Sequence, residues 1–148
     1  MIKSNLSICV PSNRDLMDSK ESISSAIGFC EAAKSELIVS DNSNDENKVS
    51  LWNNLSLPYF KYLSTDENGD WIANWLNGIK NSNSNFTGIV RDDDLIVNLS
   101  SSKFSYNDLE KDVIAVKPII SLWNHEDGIY ELNKYNIDAQ NSVDRILQ

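Results

Sequence analysis

The sequence predicts an α/β fold in which a mostly parallel sheet is flanked by helices. Short apolar segments of strand length alternate with segments whose apolar residues recur at helical spacing, in the order β-α-β-α-β-α-β. Three of the predicted strands run directly into polar clusters, as strands of a parallel sheet do at its carboxyl edge. A chain of 148 residues has the ordinary size of one domain, so we expect a single domain.

The first predicted strand covers residues 6–10 and ends at Pro11, which has no N–H to donate to a neighbouring strand. The helix that follows has its N-cap at Asp18 or Ser19. Four apolar residues at i, i+3, i+4 and i+7 give it one buried face: Ile23, Ala26, Ile27 and Cys30. Residues 37–39 then form a second apolar strand.

The second helix is predicted to end before Pro58, and residues 59–63 form the third strand. The apolar positions that indicate this helix are Val49, Trp52 and Leu55. Asp70 is placed to cap a third helix, in which Gly78 is expected to serve packing. The face expected to pack in this helix consists of Ile72, Trp75, Leu76 and Ile79. Residues 86–90 form the fourth strand.

Beyond residue 97 the pattern is weaker. We predict a loop or short polar helix at 98–107, strands at 113–116, 119–123 and 128–132, a turn at 124–128, and a helix from residue 138. That last helical pattern reaches the final residue without a Gly, Pro or basic stop signal. We therefore expect the chain to be the portion of a longer protein, truncated on its C-terminal side.

Composition excludes several classes of partner. The chain has 13 Lys and Arg against 22 Asp and Glu, and its net charge of −9 argues against binding to nucleic acid or to an anionic membrane surface. No apolar run approaches the roughly 20 residues of a transmembrane helix, and no secretory signal is visible. Cys9 and Cys30 lie in apolar patterns and are expected to be reduced core thiols, which together with the missing signal predicts a cytoplasmic protein.

Three polar clusters follow predicted strands and are expected to converge on one edge of the sheet. They are residues 11–14, 41–45 and 92–94. Ligands of open parallel sheets bind outside the carboxyl ends of the strands, so this edge is the predicted ligand site. The chain contains neither GxxxxGK[ST] nor GxGxxG, the phosphate-binding motifs of P-loop and dinucleotide-binding proteins.

The three consecutive aspartates at residues 92–94 repel one another unless something offsets their charge. A divalent cation does so, and carboxylate oxygens suit Mg²⁺ or Mn²⁺. The alternative is a solvated acidic turn. Asp41 has a similar alternative as a helix cap or an Asx-turn.

Four stretches of the chain resemble, in order and spacing, the nucleotide-binding half of a family 2 glycosyltransferase of the GT-A fold. They are LSICVPSNR at 6–14, ELIVSDNSND at 36–45, the pairs Asn74-Trp75 and Gly78-Ile79 after Gly69, and TGIVRDDD at 87–94. The resemblance implies a GT-A nucleotide-sugar-binding domain over residues 1–148, with a donor-binding half at 5–97 and a partial acceptor half at 98–148.

The resemblance also implies a role for each matched residue. Pro11, Asn13 and Arg14 would border the base and ribose of a nucleotide-diphosphate sugar, with Asn74 also on the donor. Asp41 would accept a hydrogen bond from the base, a uracil imide N–H being the usual case. Asp92 would lie near the ribose, and Asp93 or Asp94 would ligate Mn²⁺ or Mg²⁺ between the phosphates. These assignments imply a metal-dependent transferase, with UDP as the expected nucleotide.

The chain departs from the family pattern in its first loop and in the residue before the aspartates. The loop is one residue shorter than the common form and lacks its aromatic residue. Arg91 stands where the common signature has an acidic or small residue, and it either meets a phosphate or pairs with the aspartates; we favour pairing. Asp127, next to Glu126, is a candidate general base, the alternative being a charged turn.

The sequence therefore predicts an enzyme of surface-polysaccharide synthesis, which transfers a sugar to a glycan, a lipid-linked acceptor or another hydroxyl group. A second hypothesis is a catalytically silent nucleotide-binding module, or a fragment that lacks the acceptor half and the base. A third, a nucleotidyltransferase, is disfavoured because no Gly-rich loop bearing Arg or Lys follows the first strand.

Overall fold

The structure is a computed structural model that describes residues 5–65, 70–96, 120–124 and 128–133. The chain divides into two compact units, Met1–Asn107 and Asp108–Gln148.

The first unit contains one four-stranded sheet, and all its strand pairings are parallel. Its elements are β1 (Leu6–Ser12), α1 (Leu16–Ala33), β2 (Glu36–Asp41), α2 (Glu46–Asn53), β3 (Phe60–Ser64), α3 (Trp71–Lys80) and β4 (Phe86–Ile89). The strand order is β3-β2-β1-β4, so the chain winds outward in one direction to β3 and then crosses back to β4. The predicted α/β fold with a parallel sheet flanked by helices is confirmed.

Strand β1 does not end at Pro11, as the sequence suggested, but continues to Ser12. The carbonyl oxygen of Cys9 accepts from Val90 N, so the backbone of Cys9 faces β4. Pro11 lies two residues further along β1, so its backbone nitrogen faces the same side as that of Cys9. On that side β4 has already ended, at Ile89. The missing N–H of proline thus costs no ladder hydrogen bond at this position.

Helix α1 begins three or four residues earlier than its predicted cap, Asp18 or Ser19, implied. Its N-cap is Asp15, whose side chain accepts from Asp18 N at 3.0 Å, so Asp18 lies in the first turn of the helix. The predicted helix face is largely correct: Ile23, Ala26 and Cys30 are buried against the sheet.

Helix α2 ends at Asn53, so Leu55 lies beyond it and reaches the core from the following turn. The buried residues of α2 are Trp52, as predicted, and Lys48, which the pattern did not identify. The N-cap is Asp45, which accepts from Asn47 N at 2.8 Å.

The predicted packing face of α3 is wrong. Ile72, Leu76 and Ile79 are exposed, and the helix instead turns Asn74 and Gly78 toward the sheet. The sheet offers a small, polar surface there, because the side chains alternate along each strand and the apolar set faces α1 and α2.

Gly78 shows how close this contact is. A Cβ atom added to Gly78 would lie 2.0 Å from Cys9 Sγ and 3.5 Å from Ser40 Cβ. Glycine at this position lets α3 approach the strands more closely than any other residue would.

The apolar core lies between the sheet and helices α1 and α2. Its buried members come mainly from β1, β2 and α1: Leu6, Ile8, Val10, Ile23, Ala26, Cys30, Leu37, Val39 and Trp52. Cys9 and Cys30 are free and buried, as predicted, and burial raises the pKa of each thiol to about 12.

The described part of the second unit is an antiparallel hairpin of β5 (Ile120–Asn124) and β6 (Gly128–Asn133), with a register shift between Leu122 and Trp123. The strands predicted at 119–123 and 128–132 are therefore present. The segments predicted at 98–107, at 113–116 and from 138 lie outside the described residues. Among the helices that the structure describes, none has the length and apolar character of a membrane span.

Candidate functional site

The three polar clusters converge on one edge of the parallel sheet, and Ser12, at the end of β1, connects them through hydrogen bonds. Ser12 Oγ donates to Asp92 Oδ2 at 2.8 Å and accepts from Lys48 Nζ at 2.7 Å. Lys48 Nζ in turn lies 2.9 Å from Asp41 Oδ1. Residues from the ends of β1, β2 and β4 are therefore linked by one chain of hydrogen bonds at the edge where the sequence predicted that the clusters converge.

A cavity of about 320 Å³ opens at this edge. Its walls come from the end of β1 with the loop that follows, the loop after β4 and the first turns of α3: Pro11, Asn13, Arg14, Trp71, Asn74, Trp75, Arg91 and Asp92. β1 and β4 are the neighbouring strands at which the winding reverses. This reversal point is where open α/β sheets bind ligands.

Asp92 is a buried carboxylate that shapes the loop after β1. Its Oδ2 accepts from the backbone N–H groups of Asn13 and Arg14, both at 3.2 Å, in addition to Ser12 Oγ. The guanidinium of Arg14 lies 3.4 Å from Oδ1. Three hydrogen bonds to one oxygen hold the loop in a fixed shape around the cavity.

Asp93 lies between two guanidinium groups. Arg14 Nη2 and Arg91 Nη2 approach Asp93 Oδ2 at 2.7 and 3.0 Å. Of the two roles that the sequence left open for Arg91, the structure shows pairing. Arg91 is the more exposed of the two cations, with 63% of its side chain accessible against 40% for Arg14.

The donor set at residues 92–94 fits a hard cation only in part. Asp92 is fully engaged, whereas Asp94 is exposed and Asp93 keeps its second oxygen outside the arginine pairs. Within the described residues, no group of three or more His, Cys, Asp or Glu side chains is placed to hold a metal ion. Protein ligation of a divalent ion here would therefore rest on Asp93 and Asp94, with other ligands coming from water or substrate.

Asp41 is placed differently from the expectation. It is only 1% exposed and does not line the cavity. Its Oδ1 accepts from Lys48 Nζ and from Ser43 N, the second bond forming an Asx-turn, and its Oδ2 accepts from the Tyr62 hydroxyl. The structure therefore corrects the predicted base contact: Asp41 is a buried internal acceptor, the Asx-turn alternative that the sequence left open.

Tyr62 remains a proton donor in this arrangement. Burial raises the pKa of its hydroxyl above the usual value, and the hydrogen bond to Asp41 raises it further. Lys48 is completely buried, and besides Asp41 and Ser12 its ammonium donates to the carbonyl oxygen of Arg14 at 2.8 Å. Three acceptors satisfy the three protons of Lys48.

Asn74 and Asn13 both line the cavity but differ in how free their amides are. Asn74 is 4% exposed; its Oδ1 accepts from Ser40 Oγ at 2.6 Å, and its Nδ2 donates to Ser12 O. It therefore holds α3 against the strand ends rather than offering its amide to a ligand. The side chain of Asn13 is exposed, and its backbone N–H donates to Asp92.

The sequence did not assign Lys48 or Trp71 to the site. A weak signal existed for Lys48, which lies four residues before Trp52 and thus on the same helix face. Trp71 carried no signal, because the contact between α3 and the sheet was assigned to the wrong face. Asp127, the candidate base, lies outside the described residues.

The chain matches no family model, no curated protein and no solved structure.

Proposed function

We propose that the first unit is a GT-A-like donor-binding domain that takes a nucleotide-diphosphate sugar in the cavity between the ends of β1 and β4. The observation that carries the proposal is the composition of this cavity. Five of its eight lining residues, Pro11, Asn13, Arg14, Asn74 and Asp92, are ones that the resemblance to family 2 glycosyltransferases assigns to the donor. Of these, Asn74 and Asp92 shape the cavity through internal hydrogen bonds.

The charges at the cavity suit a diphosphate. Arg14 and Arg91 both line the cavity, although the chain as a whole is strongly acidic. Guanidinium groups bind phosphate oxygens with paired hydrogen bonds. Both groups already share Asp93, so an arriving diphosphate would compete with that carboxylate for the same donors.

A divalent cation resolves this competition. Asp93 and Asp94 are the residues that would hold Mn²⁺ or Mg²⁺, since Asp92 is engaged in shaping the loop. Such an ion supplies Lewis-acid chemistry and neutralises charge on the departing diphosphate. Asp93, released from one guanidinium, would then face the ion, and the arginines would face the phosphates.

The reaction proposed is transfer of the sugar to a hydroxyl acceptor of a glycan or lipid-linked glycan in surface-polysaccharide synthesis. Asp127 remains the candidate general base for that hydroxyl. A cytoplasmic location belongs with this proposal, because Cys9 and Cys30 are unpaired.

Calorimetry with UDP, with and without Mn²⁺, tests donor binding. We expect binding that weakens at least about tenfold when the metal is removed, a loss of roughly 1.4 kcal/mol. Asp94→Asn should reduce this metal dependence, whereas Glu21→Gln, which removes an equal charge from the exposed side of α1, should not. Absence of UDP binding in both conditions would refute the proposal.

The alternative function is a silent nucleotide-binding module. Release of UDP as a product distinguishes a transferase from such a module. A transferase mixed with UDP-sugars and a glycan acceptor releases UDP, whereas a module binds UDP without releasing it from the sugar. The assay therefore combines the full chain, a panel of UDP-hexoses and a glycan acceptor, and it detects free UDP.

A further inference from the structure

Two tryptophans of α3 form the aromatic wall of the cavity. Trp71 is the first residue of the helix, and Trp75 lies one turn further along the same face. Their ring centroids are 5.5 Å apart, and the ring planes meet at 82° in an edge-to-face contact. Such a contact fixes the orientation of one ring against the other.

Trp71 is nevertheless 59% exposed. An indole ring carries a large apolar surface, and leaving it in water forgoes the stabilisation that burial would give. The ring therefore presents an open apolar face at a cavity whose other residues are mainly polar or charged.

The helix start that carries Trp71 is held rigidly. Asp70 caps it by accepting from Ile72 N and Ala73 N at 2.9 and 3.1 Å. One turn later, Asn74 ties the helix to Ser12 and Ser40. The exposed indole is thus presented by a fixed element, as a preorganised binding surface requires.

The lining of the cavity consequently combines two chemical features. Trp71 and Trp75 contribute aromatic rings, and Arg14 and Arg91 contribute cationic side chains. A ligand that fits both must have a flat apolar part joined to an anionic part. A nucleoside diphosphate has this form, because its base is planar and its diphosphate is charged.

We propose that the nucleobase of the donor stacks on Trp71, and that Trp75 is a positioning residue that holds the Trp71 ring. The proposal rests on the proposed function and deepens it by assigning the base to α3. It gives the cavity an aromatic surface that the end of β1 and the following loop lack, since Pro11, Ser12, Asn13 and Arg14 include no aromatic residue. Stacking on an aromatic side chain tolerates any base, so hydrogen bonds elsewhere would select uracil.

Titration of the full chain with UDP and with inorganic pyrophosphate, both with Mn²⁺, tests the assignment. Trp71→Leu should weaken UDP binding by about 5- to 150-fold, the range that loss of one stacked base gives. Pyrophosphate, which has no base, should bind Trp71→Leu and the wild type equally. Trp71→Phe should retain most of the UDP affinity, because it keeps an aromatic face.

Leu76→Ala is the matched control, since Leu76 is a 45% exposed residue of the same helix that does not line the cavity. UDP should also quench the tryptophan fluorescence of the wild type and quench that of Trp71→Leu less. Equal UDP affinity in the wild type and Trp71→Leu would overturn the base assignment while leaving donor binding intact. A loss confined to UDP-sugars, with UDP unaffected, would overturn it too and would place the sugar on the indole. Absence of UDP binding to the wild type would overturn the proposed function together with this inference.

Discussion

The ammonium group of Lys48 lies 2.9 Å from the carboxylate of Asp41, and the two side chains are 0% and 1% exposed. They come from α2 and from the end of β2, seven residues apart in the chain. Through Ser12 Oγ the same ammonium reaches the carboxylate of Asp92 after β4. A single buried cation therefore connects the three strand ends that form the candidate site.

Replacing Lys48 with methionine should destabilise the first unit by about 3–5 kcal/mol, because the Asp41 carboxylate would stay buried without its partner. Since domains are stable by only about 5–15 kcal/mol, this is a large part of the total. Urea denaturation followed by circular dichroism measures the loss. Lys20→Met, on the exposed side of α1, should change the stability by less than about 0.5 kcal/mol.

The double variant Lys48→Met with Asp41→Asn tests whether the loss comes from the orphaned charge. It should be less destabilised than the sum of the two single variants, since neither buried charge then remains unpaired. Strict additivity of the two losses would show that the ion pair is not the cause.

Asp92→Asn should cost about 1–3 kcal/mol, because an amide cannot serve as the charged acceptor of three hydrogen bonds from the loop after β1. Asp94→Asn should leave the free energy of unfolding nearly unchanged, since Asp94 is exposed. Both variants remove one negative charge, at positions two residues apart. A loss of stability in Asp92→Asn alone would therefore show that Asp92 holds the loop, whereas Asp94 does not contribute to the fold. Equal stability of the two variants would contradict the assignment of Asp92 to the loop.

The sequence predicted the sheet well because its strands are short apolar segments that end at turn-forming polar residues. It also predicted that the strand ends at Ser12, Asp41 and Asp92 meet, since parallel strands end at one edge. It failed for α3, where an apolar stripe that includes Leu76 suggested a core-facing surface. Periodicity shows that residues share a face, but not which neighbour that face meets.

The roles within the site were harder to predict than its location. Asp41 was expected to face a ligand, yet Lys48 and Tyr62 occupy its carboxylate. Sequence spacing cannot reveal such partners, because Tyr62 comes from a different strand. Lysine is also rarely buried, so the position of Lys48 on the same helix face as Trp52 was too weak a signal to predict its burial.

Gly78→Ala should destabilise the fold by about 1–3 kcal/mol through overpacking, since the added methyl would lie 2.0 Å from Cys9 Sγ. Combining it with Cys9→Ala should recover part of the loss by removing that sulfur. Gly28→Ala is a control of opposite sign, because it lies in α1 with nothing within 4 Å. It should stabilise the helix by about 0.5–1 kcal/mol. Thermal denaturation measures both changes. If Gly78→Ala and Gly28→Ala shifted the melting temperature in the same direction, the close contact of Gly78 with Cys9 would not be the cause.

Glu36 should make the stability of the sheet depend on pH below about 4.5. Partial burial acts to raise the pKa of Glu36, but hydrogen bonds from Lys61, Asn83 and Ser7 outweigh it and lower the pKa to about 2. As the pH falls, Glu36 is protonated in the unfolded state before it is protonated in the folded state. Its contribution to the free energy of unfolding is therefore complete above pH 4.5 and is lost between pH 4.5 and about 2.

Urea denaturation at several pH values between 6 and about 2.5 measures this loss of stability. Glu36→Gln should flatten the acid limb, whereas Glu31→Gln, which removes an exposed carboxylate near the end of α1, should reproduce the wild-type curve. An acid limb of unchanged steepness in Glu36→Gln would mean that other carboxylates carry the dependence. The four contacts at Glu36 link β1, β3 and the loop before β4 to the start of β2, so its protonation weakens the sheet at the end opposite the cavity.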